Sequence, residues 1–212
     1  MNERISGDLL ARDLRFALVV SRFNDMITSR LRDAAVDSLL RHGCAAERIT
    51  EVQVPGAFEL PLTCKKLAAS GRFDAIVALG CVIRGETAHF DLVCAEAARG
   101  VARAGLDHGV PVIFGVLTTQ TLEQAFERAG VKGGNHGASA AQTAVEMANL
   151  MKKLAPRVLT MRSRPILAPA PGSKSGAGVC GGVMRRRPRG RSNSSRCSPD
   201  AAPLGLGARS RF

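Results

Sequence analysis

Leu14–Val20, LRFALVV, is a nearly continuous apolar run broken only by Arg15. A strand with one face in water alternates apolar and polar residues, whereas a strand covered on both faces does not. The run therefore predicts an interior strand of a parallel sheet with helices on both sides. Before it, residues 1–13 (MNERISGDLLARD) mix both charge signs and read as an N-terminal arm. After it, Ile27, Leu31, Ala34, Ala35 and Leu39 recur at helical spacing, and Gly43 supplies a left-handed stop.

The alternation continues downstream. Thr50, Val52 and Val54 form a second strand pattern. Ala57 to about Ala69 reads as a helix with Pro61 in its first turn, where amides lack intrahelical acceptors. Asp74–Gly80 (DAIVALG) is a third strand, and Val93, Ala97, Gly100, Val101 and Ala104 mark the helix behind it. Pro111–Leu117 (PVIFGVL) is a fourth strand. Thr121 and Gln124 have capping-box spacing and open a short helix containing Leu122, Ala125 and Phe126. A last helix runs to about Leu154, with Ala140, Ala144, Met147, Met151 and Leu154 at helical spacing. Four strand–helix alternations predict an α/β fold with a four-stranded parallel sheet and helices on both faces. Ligands of such sheets bind beyond the carboxyl ends of the strands, which singles out Ser21–Asn24, Pro55–Glu59, Cys81–His89 and Thr118–Gln120.

Charge divides the chain near Pro156. Residues 157–212 hold 12 of the 30 basic residues and one of the 18 acidic ones, Asp200, so the first 156 residues are close to neutral. The formal charge of +12 thus says nothing about what residues 1–156 bind. The last segment also holds 14 Gly and Pro, one Phe and an RRRPRGR run at 185–191. It cannot bury enough apolar surface to offset its ordering entropy, and a disordered basic tail is expected. Nucleic-acid targeting through 185–191 is the sharper reading and is disfavoured; an extension without selected structure fits the composition equally. Asn193-Ser194-Ser195 matches a glycosylation sequon, which carries weight only with a secretory signal. No apolar run approaches membrane-spanning length, and the start lacks the apolar centre of a signal peptide, so a cytoplasmic location without membrane attachment is expected. Cys44, Cys64, Cys81, Cys94, Cys180 and Cys197 show no metal-ligand spacing and read as reduced, mostly buried thiols.

Phosphate loops, dinucleotide glycine fingerprints and serine elbows are missing from the sequence. Four other features carry chemistry. In Ser21-Arg22-Phe23-Asn24, Phe23 follows the first strand, where an aromatic can stack on a flat heterocycle; taken alone it reads as core. In Pro55-Gly56-Ala57-Phe58-Glu59, Gly56 permits close backbone approach and the first helical amides are free to donate. Glu59 also suits a helix start simply through the dipole. The stretch Cys81-Val82-Ile83-Arg84-Gly85-Glu86-Thr87-Ala88-His89 leaves the third strand, turns at Gly85 and enters a helix with Thr87 as N-cap. Amides at 85–87 then form an anion site, and His89 lies in the same turn, where a helix start favours the neutral, proton-accepting imidazole. A lone His is otherwise a structural residue. Finally, Phe114 lies in the fourth strand and Arg128 ends the short helix, where an arginine fork can clamp phosphate.

Together, SRFN (21–24), VPGAFELP (54–61), LGCVIRGETAHFD (79–91), FGVLTT (114–119), EQAFERAG (123–130) and NHGASAA with EMANL (135–150) resemble the lumazine synthase family in order and spacing. The resemblance covers about residues 14–154. It implies a flavodoxin-like three-layer sandwich assembled as pentamers, often as a sixty-subunit shell. It also implies the condensation of 5-amino-6-(D-ribitylamino)uracil with 3,4-dihydroxy-2-butanone 4-phosphate in riboflavin biosynthesis, with no metal or organic cofactor. Phe23 would stack on the pyrimidine, and Ala57, Phe58 and Glu59 would hold the aminouracil and its ribityl chain. Cys81, Val82 and Ile83 would line the ring pocket through backbone groups. Glu86 and Thr87 would bind the ketose phosphate, and His89 would transfer protons. Phe114 and Arg128 would come from a neighbouring subunit, with Arg128 on the phosphate.

The Gly130–Asn135 turn is short, as in shell-forming members of that family. Sixty copies of a strongly basic tail would instead repel one another at low salt. A non-catalytic shell or scaffold protein of the same fold is the alternative; it requires a damaged site, yet each of these positions holds a suitable residue.

Overall fold

The computed structural model describes residues 2–155. The expected disorder of the tail, its basic run, the sequon and Cys180 and Cys197 lie outside the described residues.

Four parallel strands form one sheet in the order β2-β1-β3-β4. They are β1 (Phe16–Ser21), β2 (Ile49–Val54), β3 (Ala75–Ile83) and β4 (Val112–Thr119). Every residue of β1 is buried, as its unbroken apolar pattern requires of a strand with neighbours on both edges and helices on both faces. Val19 is in register with Val52 on one side and Ala78 on the other. Leu79 faces Gly115 across the β3–β4 pair.

The helices are α1 (Asp25–Arg41), α2 (Leu60–Ala69), α3 (His89–His108), α4 (Leu122–Arg128) and α5 (His136–Leu154). Alternate strand residues point to opposite faces. Leu18, Val77, Leu79 and Leu117 pack with α1, α4 and α5, while Val19, Ala78 and Val116 pack with α2 and α3. Gly43 ends α1 as expected. Gly43 takes φ +89°, and the amides of Gly43 and Cys44 donate to Leu40 and Leu39 at 2.9 and 3.0 Å. That pair of bonds is the Schellman arrangement, which a residue with a Cβ adopts only under strain.

Several boundaries differ from the periodicity reading. Ala57–Glu59 forms a 3₁₀ turn before α2 proper, with Pro61 in the first turn of the helix. β3 continues through Cys81, Val82 and Ile83, because β4 runs on to Thr119 and pairs with all three. In α5 the buried face is Gly137, Ala140, Ala141, Ala144, Val145 and Ala148. Met147 and Met151 are half-buried and Leu154 is exposed. Small residues decide this face because α5 lies close to α1: a Cβ on Gly137 would run into the Leu31 carbonyl. At α4, Thr121 caps the Gln124 amide as expected, but Gln124 Oε1 accepts from Gln120 N at 2.9 Å instead of closing the box on Thr121.

The arm is laid along α5. Asn149 Nδ2 donates to the carbonyls of Asp8 and Leu10, both at 2.9 Å, and Lys153 Nζ donates to Ser6 O at 2.9 Å. Gly7 sits against the Glu146 carbonyl.

Candidate active site

A cleft of about 540 Å³ opens at the carboxyl ends of β1, β2 and β3, on the α2–α3 face of the sheet. The main chain carries the strand tips together beyond the regular sheet. Arg22 N donates to Val54 O at 2.8 Å and Phe23 N to Pro55 O at 3.1 Å. This prolongs the β1–β2 pairing and sets Phe23 beside residues 56–59. Asn24 then takes a left-handed conformation, φ 60° and ψ 46°, one that Asn tolerates better than most residues.

From the turn after β1 comes Phe23, 69% exposed, and from the turn after β2 come Gly56, Ala57, Phe58 and Glu59. Phe58 is 58% exposed. Exposing two aromatics at one cleft costs apolar hydration that a bound aromatic ring would relieve. Gly56 has an extended backbone, φ −146°, so the left-handed region is not what requires glycine there. A Cβ would stand 3.0 Å from Glu59 Oε2; its absence leaves room for that carboxylate to fold back over the turn.

Cys81, Val82 and Ile83 line the cleft from the end of β3. The Cys81 side chain packs in the cluster on the opposite face, with Leu79 and Leu117, so this residue offers the cleft its backbone. Burial pushes its thiol up to about 11. Its carbonyl accepts from Asn24 Nδ2 at 3.0 Å. Gly85, Thr87 and His89 continue the lining.

Thr87 is not the N-cap of α3. The cap is Ala88, with helical backbone angles and no side-chain hydrogen bond, and His89 is the first helical residue. The longer β3 shifts the turn forward, so Thr87 stays in the loop with its side chain exposed. Glu86 adjoins the lining residues without being one of them. Among the described residues, no three His, Cys, Asp or Glu side chains converge as a metal site would require.

Two lining residues escaped the sequence reading, Phe90 and Val93. Both carry the apolar periodicity of α3's inner face, and nothing in that signal separates a core position from a cleft wall. The fourth strand tip also departs from expectation, since Thr118–Gln120 does not line the cleft. Thr119 O accepts from Arg84 N at 2.9 Å, and Gln120 is bound to Gln124.

Phe114 and Arg128 stand apart as well. Phe114 is opposite Ala78, three residues short of the level of Cys81, about 10 Å along a strand. Arg128 ends α4, on the other face of the sheet, exposed, with Nη1 donating to Gln124 O at 3.2 Å.

The arrangement thus offers aromatic faces, free turn amides, a hydroxyl and an imidazole around one opening. The family model described as 6,7-dimethyl-8-ribityllumazine synthase matches residues 13–152. A 6,7-dimethyl-8-ribityllumazine synthase from Chlorobium limicola is 57% identical over 151 residues, which is 71% of this chain and 97% of that protein. The chain belongs to the 6,7-dimethyl-8-ribityllumazine synthase family. The family match takes in every cleft residue named above and both outliers, Phe114 and Arg128. It stops before residues 157–212, which remain a departure from the part shared with the family.

Proposed function

We propose that this chain is a lumazine synthase, a transferase that joins 5-amino-6-(D-ribitylamino)uracil to 3,4-dihydroxy-2-butanone 4-phosphate. The products are 6,7-dimethyl-8-ribityllumazine, inorganic phosphate and two waters. The observation that carries this reading is the meeting of Phe23, Phe58, Thr87 and His89 around one cleft beyond the strand ends.

Each step needs a proton moved and two substrates held in reach. The amine adds to the ketone and loses water to give an imine. A proton leaves the carbon chain and phosphate departs, and the second amine closes the ring as the second water is lost. Effective concentration and one positioned base suffice for such chemistry. His89 is that base. Phe23 stacks on the pyrimidine, and Ala57, Phe58 and Glu59 hold the aminouracil and its ribityl chain. Cys81, Val82 and Ile83 contact the ring through backbone groups, and Glu86 with Thr87 binds the ketose phosphate.

Phe114 and Arg128 complete the site from an adjacent copy in a homopentamer, with Arg128 on the phosphate. Their distance from the cleft of their own chain supports this assignment. So do the exposed Leu62, Leu92 and Leu106, the last at 84%, which need covering. The short Gly130–Asn135 turn favours sixty-subunit shells over free pentamers. The site is assigned to the cytoplasm, and among the described residues no helix is long and apolar enough to cross a membrane.

Purified protein supplied with both substrates should develop the absorbance of the lumazine, and His89→Ala should slow it about a hundredfold without changing the oligomer. No turnover in the native protein would remove the reading; full turnover in His89→Ala would remove His89 from it.

A further inference from the structure

Every residue of the turn from Gly85 to Ala88, which carries Thr87 to the cleft, is exposed, and little holds the turn internally. Its N-cap, Ala88, makes no side-chain bond, and a Cβ on Gly85 would meet nothing within 4 Å. What holds the turn lies at its two ends, and both ends meet in Arg84. The Arg84 amide ties the strand end to Thr119 O at 2.9 Å. Its guanidinium reaches across to the first turn of α3, donating from Nη1 to Asp91 Oδ2 at 3.1 Å and from Nη2 to Asp91 Oδ1 at 2.6 Å. The same group lies 4.2 Å from the ring centroid of Phe90, a wall of the cleft.

We propose that Arg84 is a positioning residue, which closes the turn into a ring and so presents Thr87 and His89 to the cleft at a fixed spacing. The inference rests on the reaction proposed above. Two parallel bonds and a stacked aromatic fix a guanidinium in both direction and plane, which a lysine ammonium cannot reproduce. The ion pair is solvated, with side-chain exposures of 38% and 60%, so it adds little to global stability. Its effect is local order. The Asp91 carboxyl is held below the usual carboxylate range, chiefly by the Arg84 bond, so the clamp persists through neutral pH. An arginine beside an anion site would ordinarily be read as a phosphate ligand. Here both terminal nitrogens are committed to Asp91.

Arg84→Met, Asp91→Ala, the double variant and Arg84→Lys separate the two roles. As a clamp, either single change raises the KM for the ketose phosphate about tenfold, leaves the aminouracil KM within about twofold, and moves Tm by less than about 2 °C. The double variant is no worse than either single one, and Arg84→Lys recovers little. If Asp91→Ala leaves the KM unchanged or lowers it while Arg84→Met raises it, or if the two effects multiply, or if Lys restores binding, the clamp is wrong. Amide exchange at Asp91 and Leu92, whose amides bond to Ala88 O, gives a second readout. It should quicken in Arg84→Met, and unchanged exchange overturns the proposal even in a protein that turns over neither substrate.

Discussion

Asn24 donates from Nδ2 to the carbonyl oxygen of Cys81 at 3.0 Å, so one side chain joins the tips of β1 and β3 where the cleft begins. The same residue occupies the left-handed region where the chain turns from β1 into α1. Asn24→Ala removes the donor and leaves an alanine where φ is positive. A loss of about 2 kcal/mol in urea unfolding is expected. Asn24→Gly should lose less, because glycine accepts the backbone angles. Equal losses for both would show that the side-chain bond alone matters.

At Gly137 the usual rule for helices reverses sign. Replacing glycine by alanine in an exposed helix gains up to about 1 kcal/mol. Here the added methyl meets the Leu31 carbonyl, which belongs to α1 and cannot swing aside as a side chain would. Gly137→Ala should cost about 2–3 kcal/mol, measured by denaturant unfolding, and a neutral result would mean that α1 and α5 are not in close contact.

Burial raises the Cys64 thiol from its ordinary 9.0 to about 12. Above pH 9 the unfolded chain releases a proton that the native protein keeps, so rising pH favours unfolding. The stabilisation is complete below pH 9 and is lost between there and pH 12. Cys64→Ala should flatten the fall in stability over that window. An unchanged slope would place its cause in other groups.

Cys81 lies beside the cleft but turns its thiol into the opposite core cluster. With the thiol at about 11, its thiolate fraction at pH 8 is about a hundredfold below that of a free cysteine. Iodoacetamide at pH 8, mapped by peptide mass spectrometry, should modify the half-exposed Cys94 well before Cys81. Cys81→Ala should keep turnover within about threefold. Rapid labelling of Cys81 with matching loss of activity would mean the thiol faces substrate.

The proposed sharing of the site between copies is open to a complementation test. His89→Ala and Arg128→Ala proteins, each nearly inactive alone, should regain activity after being dissociated together and reassembled. Some clefts then receive an intact His89 from one chain and an intact Arg128 from another. Failure to recover, with mixed oligomers demonstrated, would place both residues in one subunit's site or remove Arg128 from it.

Most of the sheet was legible because a doubly covered strand has a distinctive composition, which β1, β3 and β4 share, while β2 shows the alternation of apolar and polar residues. The strand-end rule then located Phe23, Ala57–Glu59 and Cys81–His89 without reference to any relative. What stayed hidden was tertiary. Pairing with β4 carried β3 three residues further, which displaced Thr87 from the cap. Packing against α1 selected the alanines of α5 over Met147, Met151 and Leu154. Phe90 and Val93 have the spacing of core residues and become cleft walls only because the turn ahead of them leaves an opening. Phe114 and Arg128 owe their expected roles to the family resemblance, and periodicity alone would have left both as ordinary surface and sheet positions.

The bonds from Asn149 and Lys153 to residues 6–10 place the beginning and the end of the described domain side by side. The position of the ends is therefore one the fold does not depend on, and it can be moved elsewhere along the chain. A short Gly-Ser linker could join the two ends, and new ones could open in the exposed Val131–Gly134 turn, giving a circularly permuted enzyme with the same sheet and cleft.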